Sequence, residues 1–392
     1  MAALPPDVLF PLPYRTGGAK KTEFPHLTKY VTTTHGKKHN IAGTAEKMGD
    51  LRKHIVNTCV NNGSSPAPNE AFVDGTLKQY IKLIAMAQGH MPIHSGNIPK
   101  LVFAWKTAWD ENVEVKSDNA NLEMISLVYN MGATYAHIGR NEIITNGNSG
   151  NSEGVKNAFK YFQLAAGVYE YGITLVQRLP QEDITSDLSA DAMQLCQKVC
   201  LTQAHHCSYL KAVVDMKGKT SIISKIAVEA ANQYAQTAEA VRALSSVAKT
   251  TTGTKLIGSC ETYVHFFTAR AHFLHGNDKL STEDIGDAMG RFNFALEAIS
   301  SAERVATGSS GDKNLINAVG HLRYHVSDLH GKAVHENETV HFERATKEFP
   351  PLDALGKCMG KATPCPSLTT FKADPSQPQE ADPFHGIVPS HV

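Results

Sequence analysis

Residues 123–137 read EMISLVYNMGATYAH, and this stretch decides the predicted fold. It belongs to the first of a series of long segments whose apolar residues recur at helical spacing. Gly132 and Ala133 here, and the small residues of 165–167 in the next segment, allow long helices to approach each other closely. The predicted long helices are 119–142, 152–178, 186–216, 219–247, 252–276, 281–306 and 311–335.

Short turn-like separators between these helices predict antiparallel neighbours in a bundle or a solenoid. A single core stops growing at roughly 250–300 residues, so this chain forms either two domains or one elongated domain of stacked helices. Gly and Pro crowd at both ends and are few between them, which favours one continuous body. The last helix carries a narrow heptad-like seam of Leu315, Val319, Leu322, Val326 and Leu329.

The remaining segments predict smaller elements around this helical body. Leu9 to Leu12, flanked by prolines, predicts a short edge strand, and LVFAWK at 101–106 predicts another. Met48 to Cys59 and Leu77 to Ala85 predict a helical hairpin. We also expect an exposed loop after Trp109 (DENVEVKSD) and an N-cap at Ser281. Beyond Phe349 we expect an extended strap, and we divide the chain into one domain, 1–368, and a Pro-rich flexible tail, 369–392.

Composition excludes several classes of protein. Lys plus Arg and Asp plus Glu both number 38, so the chain lacks the basic excess of most nucleic-acid binders. The N-terminus does not resemble a signal peptide, and no apolar stretch approaches the roughly 18 residues of a membrane span. We therefore expect a cytoplasmic monomer that contacts membranes only through partners.

The cysteines and histidines offer two weak candidates for a metal site. The seven cysteines include Cys196, Cys200 and Cys207 at helical spacing, with His205 and His206 nearby. His265, His272 and His275 fall on one predicted helix. Neither set has the paired spacing of a zinc site, so we expect small-residue helix packing, reduced thiols and no cofactor. The sequence also lacks a phosphate-binding loop, HExxH and GxSxG, so we expect no enzyme activity.

Four segments, taken in order, resemble the BRO domain family. They are EMISLVYNMGATYAH (123–137), AFKYFQLAAGVYEY (158–171), the long segment 187–234 and HENETVHFERATKEFPPLDALGKC (335–358). The resemblance implies an elongated, banana-shaped helical solenoid with tetratricopeptide-like packing and a small N-terminal β-sheet. It also implies an adaptor that binds the C-terminal amphipathic helix of Snf-seven-type ESCRT-III subunits, the charged multivesicular body protein four class, in endosomal sorting.

The resemblance places the binding groove on the middle helices. The key apolar positions fall on Ile222 and Ile226, one helical turn apart, and the basic rim falls on Lys156 and Lys160.

Two family positions differ in residue type. The acidic position falls on Ser152 and the aromatic position on Ser208, and a one-residue shift would recover them as Glu153 and Tyr209.

Two further expectations remain open. An alternative function is a signalling scaffold of the Rho-binding or pH-sensing BRO type. Only a short tail follows the last resembling segment, so the chain is either a stand-alone BRO protein or a piece of a larger one cut at the domain edge. Because the last 25 residues do not resemble a tag, we expect a stand-alone protein that is recruited to endosomes.

Overall fold

The computed structural model describes residues 9–18, 21–37, 39, 41–60, 69–91, 93, 98, 101–146, 152–310 and 312–364. This part of the chain is mainly helical with one small sheet, which confirms the predicted fold class. Its helices are α1 (Pro25–His35), α2 (Ala42–Val60), α3 (Glu70–Phe72), α4 (Lys78–His90), α5 (Ala120–Asn146), α6 (Ser152–Val176), α7 (Ala190–Asp215), α8 (Thr220–Ala243), α9 (Ser245–Ala248), α10 (Thr251–Ser281), α11 (Ile285–Val305) and α12 (Lys313–Glu336).

The seven long predicted helices are confirmed with shifted ends. The segment predicted as 219–247 is divided at Leu244, between α8 and α9. The predicted N-cap at Ser281 is wrong, because α10 continues through Ser281 and Asp284 precedes α11. Helix α1 was not predicted: it begins at Pro25, a favourable first helical position, but only Leu27 and Val31 of its residues are buried.

The sheet has three antiparallel strands, β1 (Thr16–Gly17), β2 (Phe103–Lys106) and β3 (Glu114–Ser117), in that order. Phe103 of β2 pairs with Ser117 of β3, and Lys106 pairs with both Glu114 and Thr16. The strand predicted at 101–106 is confirmed. The residues after Trp109, predicted as a loop, instead include strand β3.

The strand predicted at Leu9–Leu12 is wrong, although both leucines are buried. The Arg140 Nε donates to the Leu9 carbonyl, and the His137 Nε2 lies 2.9 Å from the Leu12 carbonyl oxygen. Side chains therefore satisfy backbone groups that a neighbouring strand would otherwise pair.

The chain divides into two compact units. Unit 1 comprises 1–11, 139–163 and 198–361, and unit 2 comprises 12–138, 164–197 and 362–392. The boundary predicted between a domain at 1–368 and a tail at 369–392 stays a prediction, and the tail lies outside the described residues.

The interior of unit 2 contains the carboxylate of Glu123, which is fully buried. One oxygen accepts hydrogen bonds from Arg52 Nε at 2.9 Å and Tyr80 Oη at 2.8 Å, and the other accepts one from Trp105 Nε1 at 2.6 Å. The three donors belong to α2, α4 and β2, so one side chain of α5 joins three other elements.

A second buried ion pair in unit 2 joins Arg15 to Asp187 at 2.8 Å. The other Asp187 oxygen accepts from the Ala108 N–H, and the Asn130 amide bonds both the N–H and the carbonyl of Arg15. The two charges are therefore paired, although Nε and Nη2 of Arg15 have no hydrogen-bond partner among the described residues.

Unit 1 is built on α8, α10, α11 and α12, with α10 packed between α8 and α11. Its core includes stacked rings of Tyr234 and Tyr263, with centroids 4.7 Å apart, and His206 at right angles to them. The seam of α12 is buried at Leu315, Val319, Leu322 and Val326, as its heptad spacing predicted, whereas Leu329, its fifth residue, is only partly buried.

We predict that Glu123→Gln lowers the free energy of unfolding by about 3–5 kcal/mol, because it leaves the Arg52 guanidinium buried without a counter-charge. The exposed Glu46→Gln on α2 of the same unit is the matched control and changes stability by less than about 0.5 kcal/mol. Urea unfolding followed by circular dichroism measures both. Equal stability of the two variants would contradict the structural role of this carboxylate.

Candidate functional site

The first turn of α8 presents an isoleucine to solvent. Ile222 is 42% exposed, whereas its neighbour Ile223 is 1% exposed. The preceding turn ends at Gly218, whose φ of +84° is in the left-handed region that favours glycine. Because α8 begins at Thr220, directly after this turn, Ile222 is exposed on its first turn.

The second predicted apolar position is less accessible. Ile226 lies one helical turn from Ile222, but only 6% of it is exposed. A ligand can therefore contact only a small part of the Ile226 side chain. Ile222 supplies most of the exposed apolar surface at this end of α8.

The predicted rim residues of α6 are exposed charges. Lys156 Nζ lies 3.2 Å from Glu153 Oε2, and Lys160 Nζ lies 5.8 Å from the ring centroid of Tyr161. A solvent-exposed ion pair of this kind adds little stability. All of these residues and the start of α8 belong to unit 1.

Tyr209, the aromatic residue that the one-residue shift would supply, is buried, and its part in partner binding stays a prediction. Tyr209 is 2% exposed, and its ring lies 5.1 Å from Phe267 and 5.3 Å from the Arg270 guanidinium. It is therefore a core residue beneath the surface. Ser208 is partly exposed and donates its hydroxyl to the Ala204 carbonyl.

Sequence reasoning missed two lysines beside Ile222. Lys217 and Lys219 are exposed on the turn between α7 and α8, and Lys225 on α8 forms an ion pair with Asp353. The Lys-Gly-Lys run of 217–219 was the available signal. These cations add positive charge next to Ile222, where Asp353 and Asp278, which accepts a hydrogen bond from the Thr220 hydroxyl, add negative charge.

The predicted strap forms part of this site. Residues 342–364 form neither helix nor strand, which agrees with the extended strap predicted beyond Phe349. On α11, Thr346 N donates to the Gly286 carbonyl, and Phe349 lies 3.7 Å from the Arg291 guanidinium. On α8, Leu355 N donates to the Lys225 carbonyl, and Gly356 N donates to Glu229 Oε2.

His205 joins α7, α8 and the strap. Its Nδ1 accepts a hydrogen bond from Met359 N at 2.9 Å, which assigns the proton to Nε2, 3.2 Å from the Ile226 carbonyl oxygen. Burial lowers the pKa of this imidazole, so it stays neutral. No sequence signal indicated this role, because the strap residue that it binds is 154 positions away.

The two weak metal candidates do not assemble. No group of three or more metal-binding side chains occurs among the residues that the structure describes. Cys196, Cys200 and Cys207 are buried, and burial raises the pKa of the Cys196 thiol to about 12. Burial, with the nearby Arg291, lowers the pKa of His272 to about 4. Among the described helices, none is long and apolar enough to cross a membrane.

Comparison with known proteins identifies the family. The profile of the BRO1-like domain matches residues 11–392. ALG-2 interacting protein X of Dictyostelium discoideum is 23% identical over 80% of this chain and 37% of its own length. Vacuolar-sorting protein BRO1 of Arabidopsis thaliana is 23% identical over 84% of this chain and 38% of its own length.

Solved structures show the same fold. A structure of ALIX with the SIVmac239 PYKEVTEDL late domain matches with a TM-score of 0.72 and 20% identity over 98% of this chain and 52% of that chain. An ALIX BRO1 CHMP4C complex matches with a TM-score of 0.69 and 20% identity over 91% of this chain and 96% of that chain.

These findings place the chain in the BRO1-like domain family. The chain spans well under half of the length of the two relatives compared by sequence: 37% of the Dictyostelium discoideum protein and 38% of the Arabidopsis thaliana protein.

We predict that Ile222→Asp changes the free energy of unfolding by less than about 0.5 kcal/mol, because the residue is exposed and a carboxylate favours the first turn of a helix. Ile223→Asp, one residue further on, should cost about 3 kcal/mol or more, because it buries a charge. Thermal and urea unfolding compare the two. Similar destabilisation by both would show that Ile222 belongs to the core.

Proposed function

We propose that this protein is an adaptor that binds the C-terminal amphipathic helix of a Snf-seven-type ESCRT-III subunit through the surface around Ile222. The observation that carries the proposal is the 42% exposure of Ile222 at the start of a helix whose neighbouring apolar residues are buried. A related domain is named in a complex with CHMP4C, which matches the partner class that the sequence resemblance implies.

The apolar surface suits a helix-in-groove contact of modest strength. Burying an isoleucine side chain contributes about 1.5–3 kcal/mol, and Ile222 is already partly covered. After the costs of association, a few such anchors leave a binding free energy of about 8 kcal/mol. This corresponds to a dissociation constant in the micromolar range. Affinity of this order permits reversible recruitment to a polymer that presents many copies of the helix.

The surrounding charges select the partner's polar face. Lys217 and Lys219 flank Ile222, and Lys156 and Lys160 lie on α6 of the same unit. A partner helix with acidic residues beside its apolar stripe would complement these cations. Such complementarity acts mainly on the association rate and the register of binding, and salt weakens it.

The wider role follows from this binding activity. We infer a non-enzymatic, monomeric cytoplasmic protein that reaches endosomes through its partner and takes part in endosomal sorting, multivesicular body formation and membrane remodelling. One relative is named for vacuolar sorting, which supports this assignment. Neither nucleic acid nor a cofactor is needed for it.

A pH-response scaffold is the second candidate function. A pH-response regulator protein palA/RIM20 of Pyricularia oryzae is 26% identical over 68% of this chain. That role would use the same helical scaffold.

We predict that a fluorescent peptide of the ESCRT-III C-terminal helix binds the full chain with micromolar affinity and that Ile222→Asp weakens binding at least tenfold. Fluorescence polarisation measures the affinity, and circular dichroism verifies the fold. Ile144→Asp is the matched control, because Ile144 is 39% exposed on α5 of the same unit and is not among the residues assigned to the site.

Two outcomes would count against the proposed function. A folded wild-type chain that shows no saturable binding would exclude this partner. Binding that Ile222→Asp and Ile144→Asp weaken equally would exclude the surface at α8.

A further inference from the structure

Unit 2 contains a cleft that the proposed function does not use. It has a volume of ≈ 280 Å³ and lies between α4, α5 and the C-terminal half of α6. We call it the α4–α6 cleft. Its lining residues are Ile81, Ala85, Gln88, Gly89, Asn121, Met124, Tyr171, Leu175 and Arg178.

The α4–α6 cleft combines an apolar floor with a polar rim. Ile81 and Leu175 are buried in the floor. At the rim, the Gln88 side-chain amide donates a hydrogen bond to the side-chain oxygen of Asn121. The guanidinium of Arg178 is the positive charge among the lining residues. Within the described part of the chain, Arg178 is exposed and forms no ion pair with a carboxylate.

This chemistry indicates the ligand. Sites that hold a whole drug-sized molecule have volumes of roughly 300–1,000 Å³, so this cleft suits a single large apolar side chain. Arg178 would pair with a carboxylate close to that side chain. The cleft therefore fits a peptide in which an acidic residue stands beside an aromatic or aliphatic one.

The described part of the strap ends on the same face of α6. The Thr363 carbonyl packs against Gly167 so closely that a Cβ at this position would lie 1.9 Å from its oxygen. Tyr171, Leu175 and Arg178 follow Gly167 at steps of four, eight and eleven residues, which keeps them on one side of the helix. Thr363, near the end of the described chain, thus lies on the side of α6 that lines the cleft.

The sequence beyond this point has the required chemistry. Residues 380–388 read EADPFHGIV, with Glu380 and Asp382 just before Phe384. Pro383 restricts its neighbour to extended backbone, which reduces the entropy lost on binding. The family profile also extends to residue 392, so this segment belongs to the matched domain.

We propose that the α4–α6 cleft binds residues 380–388 of the same chain, with Phe384 on the apolar floor and Glu380 or Asp382 paired with Arg178. The inference does not rest on the surface around Ile222, which belongs to unit 1.

The connecting segment is long enough. From Gly167 to Arg178 the helix path rises about 17 Å, whereas residues 365–379 reach about 50 Å when extended. A short tether gives an effective concentration of about 1 mM. A cleft with an intrinsic dissociation constant of about 0.1 mM would then be occupied roughly nine-tenths of the time.

The test is amide hydrogen exchange of residues 384–388, followed by mass spectrometry on the full chain. Occupancy at this level slows exchange about tenfold relative to a synthetic peptide of the same sequence. Ala85→Trp, which fills the cleft, should return exchange to within twofold of the free peptide. Arg178→Gln should reduce protection two- to fivefold.

Two further variants keep the test decisive. Gln177→Glu alters the net charge by the same amount as Arg178→Gln but at an exposed residue outside the cleft lining, and it should leave protection unchanged. Phe384→Ala alters the segment alone, so its effect does not depend on whether Ala85→Trp folds, and it should abolish protection.

Exchange at free-peptide rates in the wild-type chain would overturn the proposal. Protection that persists in both Ala85→Trp and Arg178→Gln would overturn it too, because the segment would then bind elsewhere.

Discussion

The carboxylate of Glu123 is inaccessible to solvent, and burying a charge is costly unless it is paired and hydrogen-bonded. Arg52, Tyr80 and Trp105 supply the hydrogen bonds, and each comes from a different element. The relative positions of α2, α4, β2 and α5 in unit 2 are therefore constrained together. Small residues complete this arrangement, because the ring of Tyr169 packs against Gly132 in the stretch that first indicated the fold.

In unit 1, hydrogen bonds of the strap have a similar role. The strap contacts α11, α8 and α7 in turn, and its backbone pairs with helix carbonyls, with Glu229 and with His205. A buried neutral imidazole both accepts from the strap and faces the Ile226 carbonyl, so the strap helps to hold the two helices of the candidate site. The turn of α8 that follows the exposed Ile222 is thus held in place by His205, which the strap contacts in turn.

Helical periodicity was sufficient to predict the long helices and the buried seam of α12, because each repeats its apolar pattern over several turns. It failed for α1, which buries few residues, and for Leu9–Leu12, where distant side chains replace a strand partner. At the candidate site, spacing placed Ile222 and Ile226 on one side of α8 but could not show that the first is exposed and the second buried. Spacing likewise could not show that Tyr209 is buried, since burial depends on tertiary packing.

The central claim is that the surface at the start of α8 binds a partner helix. Photo-crosslinking tests it most directly: the ESCRT-III helix carries one photoreactive leucine analogue at its central apolar position, and mass spectrometry maps the adducts on the full chain. The account predicts adducts within 216–226, around Ile222 and the Lys217–Lys219 turn. Adducts confined to another exposed apolar position, such as Tyr324 on α12, would contradict it.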